Sequence, residues 1–497
     1  MKKLTILTIS LIVLSQISYS QKSYKFYNKQ DSIDFNHYRM IMTKGYQYTV
    51  RNGLLFRELV DSSYQEKENF IDYDSAYTLQ KQIQKFEYYI REQSEDYTTG
   101  KQLNNTDKYD TITHISFEGR DLKRLPIFKI LRCKNLNEIE LVNTSVKKIP
   151  WLLNWSLFKL DSLETFRIYN HAPNKQLKFS KNTKVSELVY RDSPYSPIPK
   201  KFHKLENVKE IDFARNDFRK DAKFHLEKLE QLEHLNLSRN NIDLKNLAED
   251  TVQNLKYIVL SFNNLTTIPK EIGLLKDLVD LQFAENDIKS DLIHPSLGSL
   301  TNLEVLSFYK NDLDSLPTFI FNLKKLKELD LYYNEIEIIP EELGNLKNLE
   351  RLYVAHNRFY SIPESIGELK SLKEFYIHHN RISYLPESIA NLKQITDFHI
   401  HKNYFQGFPE FILNFKKLQD LDISFNEIHK FPPELVNLNQ LKYLWMRGIT
   451  FEASGEEEAE ELKNTLETLQ KNGVKISIEM DQTINQNSET TDLQLVE

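Results

Sequence analysis

Residues 326–340 read LKELDLYYNEIEIIP, and the order of apolar positions in this stretch decides the fold. Leu329 and Leu331 alternate with polar neighbours, the period-two signature of a short strand with one buried face. Asn334 follows; a buried amide there can donate to and accept from backbone groups that the turn after the strand leaves exposed. Ile336 and Ile339 continue the apolar pattern, and Pro340 then stops further strand pairing because it has no N–H. Leu343 and Leu346 close the core from the opposite side. One such segment cannot bury its apolar face alone, but stacked copies can.

The copies are present. Apolar residues with apolar partners three and five positions on begin units at Leu255, Leu278, Leu303, Leu326, Leu349, Leu372, Ile395, Leu418 and Leu441, spaced by 23, 25 and then six times 23 residues. The frame extends back through Leu232, Val208, Val185, Leu163, Leu136 and Ile112 at spacings of 22 to 27, for fifteen units. An asparagine ladder runs through Asn216, Asn240, Asn263, Asn286, Asn311, Asn334, Asn357, Asn380, Asn403 and Asn426. The first four units carry Arg120, Thr144, His171 and Ser193 instead, so their turns are expected to be less regular.

This pattern, L-x-x-L-x-L-x-x-N-x-L-x-x-L-P, resembles the leucine-rich-repeat superfamily, in its roughly 23-residue class known from Ras-group scaffolds and many bacterial proteins. The resemblance covers about Ile112 to Phe451. It implies an α/β solenoid: a curved horseshoe with a concave parallel β-sheet, an N-terminal cap and a helix-strand C-terminal cap. It also implies a protein-binding scaffold, although that fold serves many unrelated partners.

Outside the repeats, residues 1–20 read as a signal peptide: Lys2 and Lys3, then an apolar run from Leu4 to Ile17 and the small residues around Ser20. That run is shorter than the ~20 residues a spanning helix needs. Export to the periplasm or the medium is therefore expected, with no integral membrane segment in the mature chain. Residues 21–110 are expected to cap the first repeat, with Leu79, Ile83, Phe86 and Ile90 at helical spacing, and residues 111–452 hold the repeats. Residues 453–480 should form the C-terminal cap: Ser454 and Glu457 make a capping box, Asn472-Gly473 ends the helix, and Val474, Ile476 and Ile478 alternate as a closing strand. Residues 481–497 are polar and expected to be disordered.

Composition narrows the function classes. The net charge of −6 over 497 residues lacks the basic footprint of a nucleic-acid binder, and the single Cys133 excludes an internal disulfide framework. There is no phosphate-binding glycine loop, H-E-x-x-H, G-x-S-x-G or EF-hand motif. A non-enzymatic protein that needs no cofactor is the expectation.

Alternation places the residues between the inward leucines on the other face of the sheet. The central strand position gives Ser307, Asp330, Tyr353, Tyr376, His399, Asp422 and Trp445, and two residues later come Tyr309, Tyr332, Ala355, His378, His401, Ser424 and Arg447. Glu328, Glu374, Asp397 and Asp420 form an acidic border. Large rings on a solvated face are typical of binding hot spots. Tyr309, Tyr332, Tyr353, Tyr376, His378, His399, His401, Asp422 and Trp445 are therefore the expected contact residues for a protein or peptide with basic and apolar groups. The alternative is a metal-dependent binding or hydrolytic site built from Asp397, His399, His401, Asp420 and Asp422, whose imidazole and carboxylate groups suit a transition ion.

Overall fold

The computed structural model describes residues 46–51, 54–59, 97–150, 153, 160–173, 175–182, 184–193, 197–219, 223–245, 254–449 and 456–478. The expected signal peptide, the Leu79 to Ile90 segment, Ser454 and the C-terminal tail lie outside these residues.

Every one of the fifteen unit starts is followed two residues later by a strand, from Ile112 and His114–Glu118 to Leu441 and Tyr443–Trp445. The parallel-sheet repeat architecture is thus the one expected. The chain divides into two compact units, Met1–Leu265 with Leu281–Asn286, and Thr266–Asp280 with Asp287–Glu497. In the first, eight parallel strands follow one another: Tyr97–Thr99, His114–Glu118, Glu138–Val142, Thr165–Tyr169, Glu187–Arg191, Glu210–Asp212, His234–Asn236 and Tyr257–Val259. The second holds Val305–Ser307, Glu328–Asp330, Arg351–Tyr353, Glu374–Tyr376, Asp397–His399, Asp420–Asp422, Tyr443–Trp445 and Lys475–Ser477, again parallel and in unbroken register.

The strand Tyr97–Thr99 lies within the segment expected to be a cap, yet it pairs with the sheet as a repeat strand does. The antiparallel hairpin Tyr46–Arg51 with Leu54–Leu59 falls in the same segment. At the other end the helix Glu456–Lys471 stops where Gly473 takes a left-handed φ of 87°. Val474 N–H then donates to the Leu469 carbonyl at 3.0 Å, as a helix-terminating glycine permits. Lys475–Ser477 next adds to the sheet beside Tyr443–Trp445.

The return segments differ from the helices that an α/β class suggests. Between Pro340 and Leu346 the chain makes only the 3₁₀ turn Glu341–Asn345, and its counterparts Glu364–Glu368, Glu387–Asn391 and Glu410–Asn414 repeat it. A 23-residue unit leaves five residues for the return, too few for a useful α-helix. These turns stack closely: a Cβ added to Gly367 would stand 2.5 Å from the Ser388 carbonyl oxygen, so only glycine fits that approach.

The core lies between strands and returns. Leu329, Leu331, Ile336, Leu343 and Leu346 are all buried, each contributing about 1.5–3 kcal/mol of apolar transfer. The asparagine ladder does what an amide in that turn can do. Asn334 Nδ2 donates to the carbonyls of Phe308 at 2.9 Å and Leu331 at 3.1 Å, while its Oδ1 accepts from Leu313 N–H at 3.1 Å. Ser193 carries out part of this task in an early unit, accepting from His171 N–H and donating to the Arg191 carbonyl, both at 2.9 Å. Arg120 is instead exposed and donates to Asn170.

Candidate functional site

Parallel register turns a periodic sequence into columns of side chains one strand step apart, ~4.8 Å. In the second unit three adjacent columns carry aromatic and imidazole rings. The strand column runs Asp330, Tyr353, Tyr376, His399, Asp422, Trp445 in direct register. Tyr353 and Tyr376 approach to 5.1 Å between centroids, and Tyr376 stacks on His399 at 4.3 Å with planes 5° apart. In the next column Tyr332 reaches over Ala355 to His378, with Tyr332 Oη 3.3 Å from His378 Nε2, and His378 stacks on His401 at 4.0 Å.

The third column is absent from the alternation-based reading. The strands from Val305–Ser307 to Tyr443–Trp445 leave through a residue in the left-handed region, including Tyr333 (φ 55°), His356 (52°), His379 (52°), Lys402 (51°) and Phe425 (53°). Non-glycine residues there are uncommon, and the turn makes their side chains stack along the ladder. Tyr333 lies 4.0 Å from His356, His356 lies 3.8 Å from His379, and Lys402 Nζ sits 5.3 Å from the Phe425 ring centre. The sequence signal was available: this residue immediately precedes each ladder asparagine.

The expected solvent-facing patch is more enclosed than alternation suggests. Tyr309, Tyr332, Tyr353, His378 and Asp422 are all at least nine-tenths buried, whereas Tyr376, His399, His401 and Trp445 keep partial exposure. Rings one strand step apart cover one another's faces, so facing away from the leucine core does not mean facing water. Tyr333 and Phe425, in the third column, are the exposed rings.

The acidic border is likewise engaged. Glu328 pairs with Arg351 Nε at 2.6 Å, Tyr353 Oη donates to Glu374 at 2.5 Å, and Thr396 Oγ1 donates to Asp397 at 2.5 Å. Asp420 Oδ1 accepts from Trp445 Nε1 at 3.0 Å and lies 3.3 Å from His399 Nε2. His401 Nδ1 stands 3.1 Å from Asp422.

These environments set the proton affinities. Burial lowers the His399 pKa, but Asp420, Asp422 and Asp397 together outweigh it and the net shift is upward. At His401 burial prevails over Asp422 and the shift is downward. Burial, with the neighbouring imidazoles adding repulsion, drives His378 well below its usual value. Burial is also the main cause that brings His356 to about 4 and His379 to about 3. Tyr332, Tyr353 and Tyr376 are pushed well above the usual phenol value, again mainly by burial.

The register does set Asp397 opposite Asp420 and His399 opposite Asp422. The side chains nevertheless settle into two separate pairs, His399 with Asp420 and His401 with Asp422. Among the described residues, the group whose ligand atoms come together is instead His356, His378 and His379, all within 4.8 Å of one another.

Comparison with known proteins gives three kinds of likeness. A family model described as "Leucine-rich repeat region" matches residues 238–358 and 352–494. A 239-residue stretch is 26% identical to part of a protein named adenylate cyclase from Schizosaccharomyces pombe, covering 46% of this chain and 13% of that protein. Another of 89 residues is 38% identical to part of Toll-like receptor 4 of Felis catus, covering 17% of this chain and 10% of the receptor. The chain thus spans a small fraction of the length of these curated relatives. Among solved structures, a repeat protein of Leptospira interrogans matches at a TM-score of 0.60 and 25% identity, over 76% of this chain and 97% of that one.

Proposed function

Because the chain belongs to the leucine-rich-repeat family, we propose that it is an exported, non-enzymatic recognition scaffold holding a protein or peptide against the ring-bearing sheet face of its second unit. The observation that carries this reading is the run of Tyr376, His399, His401 and Trp445, which are partly exposed over a floor of buried, stacked rings. A rigid aromatic floor offers contact area at small entropic cost. Asp420 beside it is partly exposed and retains acceptor capacity for a basic group.

Export is supported by the Lys2, Lys3 and Leu4 to Ile17 pattern. No helix among the described residues is long and apolar enough to cross a membrane. The likeness to a protein named a receptor fits recognition. The likeness to a protein named adenylate cyclase involves 13% of that protein, and the chain shows none of the phosphate-binding glycine patterns sought above.

The test uses the full chain as immobilised bait against envelope extract and culture medium, with captured proteins identified by mass spectrometry. A partner held by wild type and by Val259→Ala but lost from Tyr376→Ala and Trp445→Ala supports the surface. Capture that is indifferent to the aromatic substitutions places the partner elsewhere. Intact mass of the protein from its native source reports export separately, through an N-terminus at Gln21.

A further inference from the structure

Three imidazoles converge where the second and third columns meet. His378 ends the strand side of the turn, His379 follows it in the left-handed region, and His356 occupies the equivalent left-handed position one unit earlier. His356 and His379 stack at 3.8 Å, while the His378 ring stands edge-on to both, at 5.7 Å from His356 and 5.3 Å from His379. One ligand nitrogen from each lies within 4.8 Å of the other two.

Two ring nitrogens of these histidines have no partner in the protein. His378 Nδ1 and His379 Nδ1 are buried and have no hydrogen-bond partner, and His378 is only 8% exposed. A buried polar atom without a partner is destabilising, because it has given up water and gained nothing in return. A site that repeats this cost on adjacent imidazoles calls for a ligand. His378 Nε2, meanwhile, is occupied by Tyr332 Oη at 3.3 Å. In the tautomer whose Nε2 carries the proton, this contact leaves the Nδ1 lone pair free for an ion, the arrangement an outer-shell partner gives a metal-bound histidine.

We propose that His356, His378 and His379 form a three-imidazole site for a transition-metal dication such as Zn²⁺ or Cu²⁺, oriented by Tyr332. Tetrahedral ligation at a metal–nitrogen distance of about 2.0–2.1 Å needs the nitrogens roughly 3.3 Å apart. The 3.8 Å stack keeps the His356 and His379 planes nearly parallel, so ligation requires one of these partly buried rings to turn out of the stack and aim its lone pair at the shared ion. An all-nitrogen donor set selects borderline transition ions over Ca²⁺ and Mg²⁺, which require oxygen. Three protein ligands leave a fourth position for water or for a donor group of a bound partner. The site is distinct from the His399, His401, Asp420 and Asp422 pairs, and it does not depend on which molecule the sheet face holds.

The experiment titrates tag-free, chelator-treated full chain with Cu²⁺ and Zn²⁺ by calorimetry, and reads the Cu²⁺ complex by electron paramagnetic resonance. Expected are one ion per chain, nitrogen hyperfine coupling, and no heat with Ca²⁺ or Mg²⁺. His356→Ala and His379→Ala should each weaken binding at least tenfold, and Tyr332→Phe by about 10–100-fold, with circular dichroism verifying the fold. His225→Ala, at an exposed histidine outside the cluster, should leave binding unchanged. Wild-type affinity in folded His356→Ala and His379→Ala, no stoichiometric binding by wild type, or a Cu²⁺ spectrum without nitrogen coupling overturns the site.

Discussion

Trp445 donates its indole N–H to Asp420 across 3.0 Å, although the strand register sets Trp445 opposite Asp422. His399 leans the same way from the other side: it too is in register with Asp422, yet its Nε2 lies 3.3 Å from the oxygen that Trp445 uses. Asp420 is therefore shared by two neighbouring strands. The consequence is electrostatic as well as steric, since this carboxylate helps to hold the His399 pKa up against burial.

Asp420→Asn removes the charge at nearly constant shape, so the His399 pKa should fall. Imidazole chemical shifts followed by NMR against pH give the measurement. Asp397→Asn, a smaller contributor to the same shift, should move His399 less. An unchanged His399 titration in Asp420→Asn would mean that the shared contact does not form in solution.

Stability should fall with acid through the histidine ladder. His356 and His379 bind protons less readily in the folded state, at about 4 and about 3, than at the usual 6.5. Between those values the unfolded chain holds more protons, so folding weakens as pH drops. The contribution is intact above about 6.5 and erodes downward from there. Denaturant midpoints for wild type should decline between neutral pH and about 4, and the His356→Gln, His379→Gln pair should show a shallower decline.

Asn334→Ala leaves the Phe308 and Leu331 carbonyls and the Leu313 N–H without the amide that pairs with them. The cost should be roughly 1–3 kcal/mol in equilibrium unfolding. Asn345→Ala, on an exposed return turn, should stay near zero. Equal losses at the two positions would count against the repeat frame.

Arg351 Nε lies 2.6 Å from Glu328, whose side chain is only 3% exposed. Arg351→Met removes the partner of a buried carboxylate and should destabilise by about 3–5 kcal/mol. Adding Glu328→Gln should recover part of that loss, because the remaining group is no longer charged. A double variant as unstable as the sum of its single changes would deny the coupling.

Tyr353 and Tyr376 occupy equivalent strand positions but differ in exposure, 4% for Tyr353 against partial exposure for Tyr376. Tyr353→Ala should therefore act first on stability, by about 3–5 kcal/mol, as a buried ring deletion does. Tyr376→Ala and Trp445→Ala should weaken partner binding by about 1–3 kcal/mol while the protein stays folded. Reversed behaviour of Tyr353 and Tyr376 would show that the accessible part of the face has been misassigned.

The amino-acid sequence by itself determined the repeat frame, because strand alternation, the ladder asparagine and the turn proline are local demands that recur whenever a unit recurs. Leu329, Leu331, Asn334 and Pro340 needed no neighbour to be read, and each of the fifteen predicted unit starts is followed two residues later by a strand. Alternation also identified the columns of Tyr353, Tyr376, His399 and His378, because side-chain direction along a strand has a period of two. What only the tertiary structure decided is how those side chains meet. Whether a tyrosine on the sheet face is wet or covered depends on the ring one strand away, which sequence spacing names but does not orient. The diagonal reach of His399 and Trp445 to Asp420 depends on rotamers. The meeting of His356 with His378 and His379 depends on a left-handed backbone turn, which moves residues off the alternating pattern and into contact with it.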